Sequence, residues 1–172
     1  MILANYCNLF ATNSSDYTIK DITGANATVY RYSNESGSLG RFWTMMGAEY
    51  DYYAYYARRN WVDVGFGDTA ENAGDYSLAS PNYGSGQLTH SGGGINTHNA
   101  SDTNRVLASV YEIVTNNTLN PITVKEVGLF GTPGSGSGVP KCLLCRKVLD
   151  TPVVIEPGDS YTFTYRIRIK DT

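Results

Sequence analysis

Charged side chains are scarce in this chain: Asp, Glu, Lys and Arg make up 17% of its 172 residues, against roughly 25% in typical soluble domains. Long apolar runs are missing as well, since no stretch approaches the roughly 18 apolar residues of a membrane-spanning helix. The formal net charge of −3 provides no basic excess for phosphate contacts. The sequence therefore predicts neither a membrane nor a nucleic acid as a partner.

Cysteine is rare, and its number is odd, with three residues in the chain. An odd number cannot complete a closed disulfide framework, and residues 1–17 show no secretion signal, so synthesis in a cytoplasm is expected. Cys142 and Cys145 form a C-x-x-C pair inside a predicted strand, where positions three apart point to opposite faces. No second pair completes a tetrahedral zinc site. We expect structural thiols and no bound metal.

Recognisable catalytic motifs are missing too. The sequence contains no nucleophile elbow, no phosphate-binding P-loop, no H-E-x-x-H and no EF-hand loop. The two histidines, His90 and His98, fall in a polar, Gly-rich stretch and are interpreted as loop residues. The sequence therefore predicts a protein that is not an enzyme and that uses no cofactor.

Tyr and Gly are plentiful, with 14 and 18 residues respectively. Tyr favours pleated strands and Gly favours turns, so the composition indicates many strands joined by short connections. The clearest strand covers 160–170, where apolar and polar residues alternate strictly. We expect its apolar face to be buried as a unit. This face consists of Tyr161, Phe163, Tyr165, Ile167 and Ile169.

Further strands are predicted at 105–114, 122–130 and 141–149. Residues 122–130 are expected to return beside 105–114. Residues 151–155 are expected to form a hairpin with 160–170, because Pro157 and Gly158 between them suit the two central positions of a tight turn. Consecutive antiparallel strands favour an all-β protein, a β-sandwich or jelly roll, as a single domain over residues 1–172.

Two regions lack a strand pattern. Residues 1–60 show no legible periodicity. Residues 80–104 are polar and rich in Gly, and they are expected to form an exposed loop or arm, since long loops of this kind are often functional.

A dense group of aromatic residues lies at 50–56, with five Tyr in seven positions and a Trp on either side. Tyr and Trp combine apolar area with a polar end and are enriched at protein interfaces. Three interpretations stay open: packing within the subunit, an interface between subunits, or a platform that stacks on sugar rings. The candidate interface residues are Trp43, Tyr50, Tyr52, Tyr53, Tyr55, Tyr56 and Trp61.

Four short motifs follow one another within residues 62–170, and after them come T-P-V at 151–153, P-G at 157–158 and T-F-T-Y at 162–165. V-G-F-G-D-T at 64–69 and D-Y-S-L at 75–78 precede V-K-E-V-G-L-F at 124–130 and L-C-R-K-V at 144–148. This ordered set resembles tailed-bacteriophage virion proteins, whose segments read V-G-x-G-T-T with D-x-x-L, then I-x-E-x-G-L-F/Y, then L-x-A-R-x-V. The chain departs from that pattern at Asp68, where the family has Thr, and at Cys145, where it has a small residue.

The resemblance implies a non-enzymatic virion structural protein with a β-sandwich fold, a tail, neck or collar component that is made in a bacterial host. Its partners would be copies of itself and other virion proteins. One alternative is a capsid decoration protein. The other is a carbohydrate-binding module for receptor recognition, whose ligand would be a glycan on the host surface.

Overall fold

A computed structural model describes residues 17–29, 60–97, 106–131 and 141–168. Within these ranges one helical turn, α1 (Asn82–Ser85), accompanies the strands, and no described helix has the length and apolar character needed to cross a membrane. The strands are β1 (Tyr17–Lys20), β2 (Asn26–Val29), β3 (Asn60–Gly65), β4 (Leu88–Thr97), β5 (Val106–Asn116), β6 (Ile122–Gly131), β7 (Cys142–Ile155) and β8 (Ser160–Arg168).

The six longer strands form two three-stranded antiparallel sheets. The β6 sheet has the order β3-β6-β7, and the β5 sheet has the order β4-β5-β8. The predicted all-β sandwich is thereby confirmed, whereas the jelly-roll alternative stays a prediction. The buried core is formed by Val62, Val64, Leu88, Val110, Val114, Ile122, Val124, Val127, Leu129, Leu144, Cys145, Ile155 and Phe163.

The central strand β6 is covered on both faces. Every residue from Glu126 to Gly131 is buried, which a strand achieves only when each face of its sheet is packed against another layer. One layer is the β5 sheet. The other is residues 66–81, here called the outer segment, whose ends close on each other where Phe66 N donates to Ser80 O over 2.8 Å.

The predicted strands at 105–114, 122–130 and 141–149 are confirmed within the described residues, but two predicted pairings are wrong. Residues 151–155 continue β7 and pair with β6, while β8 pairs with β5. Residues 122–130 likewise lie in the sheet opposite β5. Both short connections therefore carry the chain from one sheet to the other.

Asn116 connects the β5–β6 and β7–β8 connections to each other through hydrogen bonds. Its side chain is completely buried, and Nδ2 donates to Asn120 O and to Ile155 O over 2.8 Å each. Its main chain accepts from Gly158 N over 2.8 Å and donates to Asp159 O over 3.0 Å. Gly158 has a φ of 84°, which glycine adopts without steric strain. The turn that resembles a hairpin is thus a corner of the sandwich.

The loop expected over 80–104 is wrong for Leu88–Thr97, which form β4 along β5. The glycines are required there because side chains of β5 lie across β4. A Cβ on Gly93 would lie 2.9 Å from Glu112 Cδ, and one on Gly94 would lie 3.0 Å from Tyr111 Oη. Residues 98–104 lie outside the described residues.

The apolar face predicted for β8 is buried only in part. Phe163 is 7% exposed and Tyr165 packs against the core, but Tyr161 is 44% exposed. Tyr161 is the second residue of β8, where the strand leaves the corner, and its ring covers Phe163 at a centroid distance of 4.8 Å. The side chain of Ile167 and the whole of Ile169 lie outside the described residues.

A small hairpin of β1 and β2 is the described part of the region that had no legible pattern. Ile19 and Ala27 pack against Cys142 at the start of β7. Ile22 N donates to Lys141 O over 2.9 Å, which fixes the hairpin to the same point. The hairpin is therefore an accessory to the β6 sheet.

Candidate functional site

A buried ion pair lies beneath the outer segment. Glu126 of β6 and Arg146 of β7 are 0% and 2% exposed. Arg146 Nε donates to Glu126 Oε2 over 2.8 Å. A buried ion pair is tolerated only when its remaining hydrogen-bonding groups are satisfied as well. The outer segment satisfies them here.

The Glu126 carboxylate accepts three main-chain hydrogen bonds from the two ends of the outer segment. Oε1 accepts from Gly67 N over 3.2 Å and from Ser80 N over 2.8 Å. Oε2 accepts from Ala79 N over 3.1 Å. A Cβ on Gly65 would lie 2.5 Å from Oε1, so glycine is required where the chain passes over the carboxylate.

Arg146 holds the middle of the same segment. Its Nη1 donates to Asp75 Oδ2 over 2.8 Å, and its Nη2 donates to Thr69 O over 2.9 Å. Beside it, the Glu71 carboxylate accepts a hydrogen bond from Val148 N over 2.9 Å. One guanidinium thus links two strands to a segment that has no regular hydrogen-bond ladder of its own.

The four motifs that carry the resemblance meet at this cluster. Leu78 packs beside Gly128, where an added Cβ would lie 3.0 Å from Leu78 Cδ2 and 2.9 Å from Leu143 Cδ1. The observed contacts of the motif residues are structural, since they hold the outer segment on the β6 sheet. The residues concerned are Gly65, Gly67, Asp75, Leu78, Glu126, Gly128 and Arg146.

Comparison with models of known protein families, with curated proteins and with solved structures gives no match to this chain. The likeness to virion proteins therefore depends on the four motifs and their order. The fold supplies a physical reason for their occurring together. A change at Gly65, Glu126 or Arg146 would leave a buried charge or N–H group without its partner, or would crowd a close contact.

A second charged cluster joins the two sheets to each other. His90 Nε2 is 3.4 Å from Asp63 Oδ1, and Nδ1 is 3.3 Å from Glu112 Oε1. Asp63 belongs to the β6 sheet, whereas His90 and Glu112 belong to the β5 sheet. The carboxylates are 1% and 2% exposed, and the imidazole is 32% exposed. The interpretation of His90 as a loop residue is therefore wrong, because it lies on β4.

The two carboxylates favour the protonated form of His90. Interaction with Asp63 raises the pKa of His90 above its ordinary value, against the effect of burial, and Glu112 adds to the rise. Each ring nitrogen faces a carboxylate, so neither presents a lone pair to a metal or a substrate in this geometry. Among the described residues, no group of three or more His, Cys, Asp or Glu side chains is arranged to hold a metal ion.

Of the predicted interface residues, Trp61 falls in the described ranges, and its ring packs within the subunit. It stacks on Phe130 at a centroid distance of 5.4 Å, with Lys141 Nζ 5.6 Å from the Trp61 centroid. Tyr83 meets Phe130 edge-on at 6.0 Å and is 42% exposed. The half-buried Trp61 thus adjoins exposed aromatic surface. The candidates outside the described residues are Trp43, Tyr50, Tyr52, Tyr53, Tyr55 and Tyr56.

The C-x-x-C pair lies on β7, as predicted, and both side chains are buried. Cys142 packs with the β1–β2 hairpin, while Cys145 belongs to the core between the sheets. Burial raises the pKa of Cys142 to about 12, and a protonated thiol is neither a good nucleophile nor a metal ligand. These features support structural thiols, and the absence of zinc stays a prediction.

The motifs contain Glu126 and Arg146 of the first cluster, but they do not include Asp63 and Glu112 of the second. All four charges lie in short apolar stretches, which read WVDVG, VYEIV, KEVGLF and LLCRKV. A charge within a strand that is covered on both faces must be paired. Such isolated charges were therefore the available signal. They are Asp63, Glu112, Glu126 and Arg146.

Proposed function

We propose that this chain is a non-enzymatic structural protein of a tailed-bacteriophage particle, a tail, neck or collar component. It packs through repeated interfaces with copies of itself and with other virion proteins. The observation that carries the proposal is the convergence of the motif residues in one buried cluster beneath the outer segment. Motifs that are weak as separate strings form one physical unit here, which strengthens the resemblance.

The contacts of three titratable groups, Glu126, Arg146 and His90, support a structural role. Glu126 accepts from Arg146 and from three main-chain N–H groups, so its carboxylate has no capacity left for proton transfer. Arg146 is 2% exposed, and His90 lies between two carboxylates. A catalytic acid or base needs contact with substrate, and these three groups contact the fold instead.

Exposed apolar side chains supply surface that assembly can cover. Leu119 is 92% exposed at the β5–β6 corner, and Val154 is 54% exposed on β7. Tyr76 in the outer segment is 41% exposed, and Tyr83 on α1 is 42% exposed. Interfaces in permanent assemblies are enriched in apolar and aromatic groups of this kind.

The decisive experiment is to ask whether the protein is a stoichiometric part of purified phage particles. Particles from a strain that carries the coding sequence are banded on a density gradient, quantified by mass spectrometry and labelled with antibody for electron microscopy. We expect a fixed copy number per particle and label at the tail, neck or collar. Absence from infectious particles would overturn the proposal.

The same experiment separates the alternatives. Label spread over the head at a high copy number would instead identify a capsid decoration protein. A carbohydrate-binding module would bind a glycan array as purified protein, and Ser substitutions at Tyr52 and Tyr53 would abolish that binding. Both outcomes contradict a tail, neck or collar role, and only the second removes assembly as the main function.

A further inference from the structure

We propose that His90 is a protonation-controlled latch that fastens the edge strand β4 to β3 and so closes one open edge of the sandwich. Its contacts join the sheets, with Asp63 on one side and Glu112 on the other. The ion pairs of Lys125, Arg146 and Lys147, by contrast, all stay within the β6 sheet and its outer segment. The inference stands independently of any role in a virion.

Outside its own sheet, the strand that carries His90 is held at its first residue by Asn82 of α1, which exchanges two hydrogen bonds of 2.9 Å with the Leu88 main chain. The middle of β4 is Gly92–Gly94, which supply no side chains, and its ladder with β5 is interrupted by a bulge between His90 and Gly92. Leu88 is its described contribution to the core. Edge segments with few buried apolar contacts open at lower free energy than the rest of a fold. The charged bridge of His90 therefore has a large share in keeping the part of β4 beyond Leu88 closed.

The charges around the imidazole determine which protonation state of His90 holds β4 against β3. Asp63 faces it from β3 and Glu112 faces it from β5. Burial raises the pKa of the Tyr83 phenol on α1, and the charges of Asp63 and Glu126 add to that rise. A protonated His90 offers an N–H to Asp63 and to Glu112. A neutral ring keeps one N–H and turns a lone pair toward the other carboxylate, which repels it.

The pH dependence follows from this arrangement. The pKa of His90 in the folded protein lies above its ordinary value of 6.5. The stabilisation is therefore fully present below 6.5 and is lost as the pH rises through the folded pKa. Above that pH we expect β4 to separate from β3, while the β6–β7 pair stays closed.

Nuclear magnetic resonance of the full chain tests this without any substitution. The Hε1 signals of the two histidines are followed across pH, and amide exchange rates are corrected for their intrinsic pH dependence. We expect His90 to titrate with a midpoint above 6.5 and the protection of β4 amides to fall through that midpoint, with β6 and β7 unchanged. A midpoint at or below 6.5, or unchanged protection of β4, would overturn the latch.

Matched variants assign the effect to this residue. His90→Gln is expected to remove the pH-dependent fall in β4 protection and in melting temperature, whereas His98→Gln should keep both. Asp63→Asn should lower the His90 midpoint by removing the facing charge. Persistence of the wild-type pH dependence in His90→Gln would contradict the proposal. If His90→Gln does not fold, the His90 midpoints of the wild type and of Asp63→Asn decide the question.

Discussion

Arg146 Nε donates to Glu126 Oε2 over 2.8 Å although the two residues are not direct cross-strand partners. Glu126 is opposite Val148 in the ladder, and Arg146 is opposite Gly128, so the ion pair runs diagonally between β6 and β7. A diagonal neighbour lies within reach of a long side chain. Gly128, opposite Arg146, leaves room for the side chains of Phe130, Leu143 and Leu78. The remaining hydrogen-bonding groups of the pair are directed at the outer segment.

The first prediction concerns this pair. Arg146→Met should lower the free energy of unfolding by about 3–5 kcal/mol, because Glu126 would remain buried without its cation. Urea denaturation of the purified chain measures the change. Lys125→Met is the matched control, since Lys125 pairs with Asp68 at the surface, 38% and 74% exposed, and we expect it to unfold like the wild type. Equal urea midpoints for the Arg146 and Lys125 variants would contradict the structural role of the Arg146–Glu126 pair.

Glycine at position 65 provides a second test of the same cluster. A Cβ there would meet Glu126 and the main-chain oxygen of Ser80 at 2.7 Å, so Gly65→Ala should cost about 1–3 kcal/mol through overpacking. Limited proteolysis should then cut the outer segment faster. Gly92→Ala is the control, because its Cβ would meet Ile113 at an ordinary 3.4 Å. Equal cleavage rates in the two variants would show that the outer segment does not depend on this close approach.

The strands could be predicted from sequence, but their partners could not. Alternation along 160–168 and apolar density along β5 are local properties, and both identify strands correctly. The partner of each strand depends on which sheet that strand joins. The chain changes from one sheet to the other at the corner around Asn116. A Pro-Gly turn has the same sequence in a hairpin as in a crossing between sheets. The predicted hairpin of 151–155 with 160–170 failed for that reason.

The strand β4 could not be recognised from the sequence, because its glycines make room for side chains of β5, a different strand. Gly93 and Gly94 leave space for Glu112 and Tyr111, which lie far away in the sequence. The same limit applies to the charged clusters. An isolated charge in an apolar strand indicates that a partner exists, but the partner of Glu126 is 20 residues away, and spacing gives no sign of it.

The corner between the sheets gives a third prediction. Asn116→Ala should destabilise the fold by about 1–3 kcal/mol for each buried group that loses its partner, and the Ile155 carbonyl is one such group. Urea denaturation measures the loss. Asn117→Ala is the control, because Asn117 is exposed and its Nδ2 donates to the exposed Thr89 hydroxyl. A smaller effect at 116 than at 117 would show that the corner closes without this side chain.

The last prediction concerns the Tyr-rich segment 50–56, whose interface role stays a prediction. Replacing all five tyrosines of the segment with Ser should abolish incorporation into particles while leaving the melting temperature of the isolated chain unchanged. The reason is that permanent complexes commonly bury more than roughly 2,000 Å² of surface. The clustered tyrosines are the large apolar side chains that this sequence offers for such an interface. Mass spectrometry of gradient-purified particles and thermal unfolding of the purified variant measure the two properties separately.

Tyr161→Ser is the control for that experiment, since Tyr161 is 44% exposed on β8 and lies outside the segment. We expect it to enter particles normally. Trp61 is unsuited to the comparison because it stacks on Phe130, so its removal would disturb the fold as well as any interface. A fall in melting temperature for the five-Tyr variant would place the segment in the subunit core. Normal incorporation with lost glycan binding would identify a sugar platform instead.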